Sequence, residues 1–342
     1  MPLVQVHHLE AHALVARLPA KGGGGGGGEG GGGGEGGGGG SSSLPPPLLA
    51  PAFPFVCVLA SGGHNLVLLA RGVGDYSVLG TTLDDALGEA FDKVARMLGL
   101  DASPSGGAAV ESAAAGRFGG GGSGSESPAS SSSSPAIQPG DPKAFGFARP
   151  LRKNRRQQKG ANVSYAGLKT AVRMAAERTL PELLEKVAAA EEEKDGSFST
   201  ALSLLRKAQA DLAASFQRVA VEHLAEKAAL GLRLALLEEP RCSALVLTGG
   251  VARNASLRRE MEGVAASAGL PLVCPPPNLC TDNGVMVAWA AHERLDAGVA
   301  RLPRPEGMPD PAPEGWVDCR PRWPLAAETA AFRAELGSSA RW

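Results

Sequence analysis

Two unbroken apolar runs, FVCVLA at 55–60 and NLVLLA at 65–70, flank the tetrad Ser61-Gly62-Gly63-His64. Runs of this length bounded by turn residues predict two buried β-strands with a tight connection. Downstream, Leu83, Leu87, Phe91, Val94 and Leu98 recur at steps of four, four, three and four, the spacing of one helix face. That pattern predicts a helix starting near Leu83, with Thr81 or Thr82 as its cap and Asp84 and Asp85 in its first turn, where carboxylates suit the positive end of the macrodipole. Leu212, Phe216, Val219, Leu230 and Leu234 mark the apolar face of a later, longer helix. A third apolar run, ALVLT at 244–248, leads straight into Gly249-Gly250. Strand, glycine turn and helix therefore recur, which predicts an α/β domain holding ligands at its strand ends.

Composition changes this picture in one respect. Of the 342 residues, 47 are Gly and 26 are Pro, and many of the glycines fall in two low-complexity tracts at 21–43 and 119–140. Such tracts cannot bury apolar surface, so they are expected to be disordered insertions between folded segments. Lys plus Arg (34) and Asp plus Glu (35) nearly cancel, so any nucleic-acid surface has to be a local patch. Five scattered cysteines with no CxxC pair point to buried thiols in a reducing compartment rather than a disulfide framework. No apolar run approaches the ~18 residues of a membrane span, and the first residues show no basic-then-apolar signal pattern.

Chemistry enters with His8 and His12 in HHLEAHAL. Four residues apart on a helix, they lie about 40° apart around the axis and can face one metal ion. Glu10 lies midway between them, which is the order of neither zinc-protease signature, HExxH nor HxxEH. Two histidines leave a site incomplete, so a further carboxylate is required, and plain surface histidines are the competing reading. Ser61-Gly62-Gly63-His64 and Thr248-Gly249-Gly250-Val251, with Asn254 close behind, are turns whose N–H groups can approach a phosphate, or simply connections. Asp85, Glu89 and Asp92 form an acidic helix face, either solvated or turned to ribose hydroxyls. Arg152, Lys153, Arg155, Arg156 and Lys159 form a basic cluster that is either a solvated linker end or a surface for RNA phosphates. Lys169, in SYAGLKT, faces a phosphate or solvent, and His223, on the apolar face of its helix, reads as a core histidine.

Taken in order, HLEAH, FPFVCVLASGGHN, LGTTLDDALGEAFDKVARMLGL, NVSYAGLKTAVR, LVLTGGVARNASLR and PPPNLCTDNGVMVAW resemble the TsaD family of tRNA N6-adenosine threonylcarbamoyltransferases, formerly named O-sialoglycoprotein endopeptidases or glycoproteases. GGHN, TTLDDALGEAFDK and the late RPRWPL are similar to its mitochondrial or plastid branch in plants and algae. The resemblance implies an actin-like ATPase (ASKHA) α/β fold. It also implies transfer of a threonylcarbamoyl group from L-threonylcarbamoyladenylate, made by a separate synthase, to N6 of the adenosine beside the anticodon in tRNAs reading ANN codons. One divalent metal ion of the iron or zinc type is implied, with His8, His12 and Asp282 as ligands. The substrate and nucleotide residues implied are Ser61, Gly62, Gly63, His64, Asn65, Asp92, Gly107, Gly249, Gly250 and Asn254, with Glu89 as the proton acceptor. Ala108 stands where the family has the Pro of GGP, and Asn65 where bacterial members carry Thr. Homodimerisation, mitochondrial or plastid residence and no membrane association complete the implied picture.

The expected division is a metal-binding helical segment at 1–20, an insertion at 21–50, a nucleotide-binding α/β part at 51–118, a second insertion at 119–143, the rest of the lobe at 144–302 and an extension at 303–342. Because family members carry a further lobe before the HxxxH helix, the second lobe is expected to be largely present and the first mostly missing, leaving an exposed apolar docking surface. A working transferase seen in part, a short nucleotide- and metal-binding partner protein and, third, a metalloprotease are the functional readings this leaves.

Overall fold

The computed structural model describes residues 4–18, 50–118, 137–152, 160–193, 197–299 and 325. Within these residues five strands form one sheet: β1 (Phe55–Ala60), β2 (Asn65–Gly72), β3 (Asp75–Thr81), β4 (Leu245–Thr248) and β5 (Leu272–Val273), in the order β3-β2-β1-β4-β5. The first three make an antiparallel meander, and β4 and β5 add in parallel to β1. The α-helices among the described residues are α1 (His8–Leu14), α2 (Leu87–Met97), α3 (Gly106–Ala114), α4 (Ala166–Glu193), α5 (Phe198–Glu238), α6 (Ala255–Ser267) and α7 (Gly284–Asp296).

Every residue of β1 is buried, because both faces of the sheet are covered. Side chains alternate along a strand. Val56, Val58 and Ala60 therefore enter the larger core with Phe91 of α2, Val110 of α3, Val172 of α4, Phe216 of α5 and Met261 of α6. Phe55, Cys57 and Leu59 enter the opposite core with Ala13 and Ala16. A third cluster, Ala11, Leu14, Val15, Met286 and Ala290, joins α1 to α7. The mixed sheet with helices on both sides fits the expected actin-like ATPase fold. Among the described residues no helix is long and apolar enough to cross a membrane, and burial pushes the Cys57 thiol up to about 12.

The structure departs from these expectations in several places. The helix expected from Leu83 begins at Leu87 instead. Thr81 ends β3, Thr82 bridges to Val163, and the Leu83 N–H donates to the Val163 carbonyl at 2.8 Å, so this stretch is committed to extended pairing. β3 itself went unpredicted, since Gly80 interrupts a short strand buried against its neighbours. On α5 the buried stripe continues from Phe216 and Val219 through Leu224, Ala228 and Leu232, leaving Leu234 exposed and Leu230 half-buried, because the covered face changes along the helix, where Gly231 comes to pack against Val67 of β2 and Ala161.

Residues 137–143, assigned to the second insertion, pack into the fold: the Gly140 N–H donates to the Ala114 carbonyl at 2.9 Å and the Asp141 N–H to Asp211 at 2.6 Å. The remainder of both tracts, and the C-terminal extension apart from Leu325, lie outside the described residues. Exposed apolar side chains are spread over three helices, among them Met174 and Leu184 on α4, Leu204 and Leu237 on α5, and Val285 and Leu295 on α7.

His223 is the core histidine anticipated. Its Nε2 accepts the Ser164 N–H at 3.3 Å and its ring meets Tyr165 edge-on. Burial, then the Lys227 charge, lower its pKa to about 4, against an opposing pull from Asp84. The folded state thus holds it neutral where the unfolded chain protonates it near its ordinary value of 6.5. Its contribution is complete above pH ~6.5 and declines as pH falls toward about 4, the part lost by pH 4.5 being on the order of 2–3 kcal/mol. Urea unfolding of the full chain between pH 7.5 and 4.5 should show this loss, and His223→Gln should flatten the acid limb by that amount. An unchanged limb in the variant would refute the assignment.

Candidate functional site

Helix α1 is opened by His7, whose Nδ1 accepts the Leu9 N–H at 3.1 Å. Asn283 opens α7 in the same way, accepting the Met286 N–H at 2.9 Å and tying its amide back to the Thr281 carbonyl at 2.7 Å. These caps set the two elements that meet at the metal trio. His12 Nε2 lies 3.0 Å and His8 Nε2 3.5 Å from Asp282 Oδ1, and all three donor atoms fall within 4.8 Å of one another. A divalent ion about 2.1 Å from each donor needs neighbouring donors roughly 3.0–3.4 Å apart; the two distances to Asp282 meet or approach that, and the widest separation in the trio closes further when an ion is held. His12 is buried while His8 and Asp282 face solvent, which leaves an open side for a ligand.

Burial and then the neighbouring His8 hold His12 below the ordinary imidazole pKa, while the charge and hydrogen bond of Asp282 oppose them. A neutral imidazole is the form that ligates metal. Lone pairs converging on one point repel unless a proton or a cation lies between them, so the donor set fits a divalent ion.

The two glycine turns lie at one edge of the sheet because β1 and β4 are parallel and adjacent, with Leu59 opposite Thr248. After β1, the Ser61 hydroxyl accepts the His64 N–H and donates to the His64 carbonyl, both at 3.1 Å, which closes the turn. Gly62, Gly63 and His64 are exposed there. Gly88, in the first turn of α2, packs against this loop: a Cβ would sit 2.8 Å from both the Gly62 Cα and the Ser61 carbonyl oxygen. After β4, Gly249 adopts φ +93°, and a Cβ there would also meet the Ala60 carbonyl at 2.4 Å. Gly250 backs onto Thr281, the neighbour of Asp282. The metal trio, the first turn and the second turn are therefore contiguous.

Other expected substrate residues lie along the same edge. Asp92 is half-buried on α2 and packs against Gly106, beside Gly107 in the first turn of α3, where Ser105 accepts the Ala108 N–H at 3.2 Å. Glu111, further along α3, accepts the Ala255 N–H at 2.8 Å. Asn254 spends its side chain on structure: its oxygen caps α6 through the Leu257 N–H at 2.9 Å and its amide donates to Gln217 at 2.9 Å. Asn65 likewise accepts the Leu87 N–H at 2.6 Å, capping α2 from β2, while its buried amide nitrogen has no partner among the described residues.

The acidic face is paired rather than open. Lys93 bridges Glu89 at 2.7 Å and Asp85 at 2.9 Å, and Lys169 also bonds Asp85. Burial works to raise the Asp85 pKa, but the bonds from Lys169 and Lys93 outweigh it and hold the carboxyl below its usual range. Arg152 lines an open cavity of about 600 Å³ with Arg149, Leu151, Glu226 and Lys227, whereas Lys153, Arg155, Arg156 and Lys159 lie outside the described residues.

A family model described as TsaD, tRNA N6-adenosine threonylcarbamoyltransferase, matches residues 44–289, most of the chain. This chain belongs to the TsaD family. It is 41% identical over 339 residues to a protein of Arabidopsis thaliana named probable tRNA N6-adenosine threonylcarbamoyltransferase, mitochondrial. It is 38% identical over 329 residues to the tRNA N6-adenosine threonylcarbamoyltransferase of Methylobacterium sp. (strain 4-46), and 36% identical over 340 residues to that of Afipia carboxidovorans. These matches take in 99%, 96% and 99% of the chain, which spans 56% of the length of the Arabidopsis relative and 68% and 70% of the bacterial ones.

In this TsaD-family chain, sequence reasoning missed the residues that hold the site from behind. Asp84 accepts N–H bonds from Tyr165 at 2.8 Å and Ala166 at 3.2 Å, opening α4 from far away in sequence. Glu10 turns away from the histidines into a buried pair with Arg294. In the sequence Asp84 reads as part of the first turn of the preceding helix, and Glu10 only as a carboxylate with no evident task. The tightness of the loop contact gives a test. Gly88→Ala should leave the full chain folded, since Ala favours helix, yet displace the 61–64 turn, read as changed amide NMR shifts at Gly62, Gly63 and His64. Parental shifts there would show that Gly88 does not set the turn.

Proposed function

We propose that the chain carries out the transfer chemistry named in its relatives: a threonylcarbamoyl group passes from L-threonylcarbamoyladenylate to N6 of the adenosine beside the anticodon of tRNAs reading ANN codons. The observation that carries this reading is the meeting of His8, His12 and Asp282 with both glycine turns at one sheet edge. N6 bonds to the carbamoyl carbon, the bond from that carbon to the phosphate oxygen breaks, N6 gives up a proton and AMP leaves. No covalent enzyme intermediate is required.

His8, His12 and Asp282 would hold one divalent ion of the iron or zinc type. Bound there, it supplies Lewis acidity and positive charge beside an anionic substrate. Ser61 to Asn65 would present backbone N–H groups to the phosphate, with Gly249 and Gly250 opposite. Asp92, Gly107 and Asn254 would flank the nucleoside, Asn254 through a side chain already fixed by its cap. Glu89 is proposed as the proton acceptor, although it must first exchange its bond to Lys93. Arg152, with Lys153, Arg155, Arg156 and Lys159, would meet tRNA phosphates, and Lys169 would join them only by leaving Asp85. A homodimer resident in mitochondria, or alternatively in plastids, and supplied by a separate synthase completes the proposal.

The test incubates the full chain with threonylcarbamoyladenylate and an ANN-decoding tRNA, then digests the tRNA and measures the modified nucleoside by mass spectrometry. Product is expected, with a loss of at least about a hundredfold in His12→Ala and Asp282→Ala. Nucleotide and metal binding without product would favour the binding-protein reading instead. Glu89→Gln, if folded and fully active, would remove Glu89 from the mechanism.

A further inference from the structure

We infer that the buried Glu10–Arg294 pair is the positioning device of the metal trio, fixing the angle between α1, which carries two of its members, and α7, which follows the third. This rests on the metal reading above. Glu10 Oε2 accepts from Arg294 Nη1 at 2.8 Å, with both side chains 1% exposed. Glu10 Oε1 accepts the Gly74 N–H at 2.9 Å and the Tyr76 hydroxyl at 3.2 Å. One carboxylate thus ties α1 to the β2–β3 hairpin and to α7 at once.

The geometry around α1 gives this tie its leverage. At about 100° per residue, Glu10 projects roughly opposite the midpoint of His8 and His12, so it anchors the helix from behind the imidazoles. On the other element, Asp282 sits just before Gly284, whereas Arg294 lies about 15 Å farther along the α7 axis. A 5° swing about that anchor would move the Asp282 end by about 1.3 Å, a large error for a ligand.

Apolar packing does not fix this angle by itself. Ala11, Leu14 and Val15 meet Met286 and Ala290, with Leu279 and Trp289 packed at the margin, a non-directional contact that includes an adaptable methionine. Charge-assisted hydrogen bonds, by contrast, are directional. Arg17 and Glu293 add a neighbouring tie at 2.8 Å, but a more exposed one. Stability alone would not call for a buried ion pair, since apolar residues of similar volume often serve as well or better.

The test uses the full chain with Co²⁺ as the probe, reading its affinity and visible spectrum, with urea unfolding of the metal-free protein alongside. Glu10→Gln should weaken Co²⁺ binding about 10- to 100-fold and change the spectrum. The double variant Glu10→Met with Arg294→Met should unfold at the parental urea midpoint or above and show the same loss. If that double variant is folded and keeps the parental affinity and spectrum, the pair only packs and the inference is overturned. Should both variants fail to fold, Tyr76→Phe decides, because it keeps the packing and removes one of the three bonds to Glu10. A loss of about threefold is expected from it, and unchanged affinity would overturn the inference. A parent chain that takes up no Co²⁺ would sink the metal reading itself, whatever the variants do.

Discussion

β1 lies at the centre of the sheet, paired antiparallel to β2 on one side and parallel to β4 on the other, with both faces buried. Much else in the structure follows from that placement. The parallel pairing sets the ends of β1 and β4 at the same edge, so the turns that follow them are neighbours although far apart in sequence. The antiparallel pairing returns β2 through Ser61 to His64, which keeps the first turn short and closed on itself. Covering both faces recruits helices to each side. Those on the larger core bring in Gly88 and Asp92, while α1 on the other side brings in His8 and His12.

The helix ends around this edge are fastened by residues from other elements. Asn65 of β2 caps α2, Asp84 caps α4, and Glu111 of α3 accepts from the start of α6. A buried helix start without a partner leaves costly N–H groups, and each of these contacts removes that cost while fixing one element against another. Several polar side chains near the site are therefore scaffold. Asn254, with both ends of its amide engaged, is a clear case: it lies where a substrate residue was expected, yet its hydrogen-bonding capacity goes largely to the fold.

The charged groups divide along similar lines. Lys93 and Lys169 neutralise Asp85, and Lys93 holds Glu89, so the acidic face on α2 is a bridged network rather than a bare solvated one. The metal trio differs in kind. Its three members converge on one another, His12 directly on Asp282, and that arrangement suits an ion held between them.

The sequence by itself determined β1, β2 and β4, since uninterrupted apolar runs next to glycine turns have few other solutions. It also determined the pairing of His8 with His12, because helical spacing is local, and the core role of His223, which sits on an apolar helix face. Family motifs added Asp282. What only the tertiary structure decided was every relation between distant segments: the start of α2 at Leu87, withdrawn from Leu83 by pairing with Val163; the reassignment of Asp84 to α4; and the burial of Glu10 against Arg294. Local periodicity reports which face of an element is apolar. It carries no information about which remote carboxylate, amide or backbone group will meet that element, because those choices are made by packing and by the need to satisfy buried polar atoms.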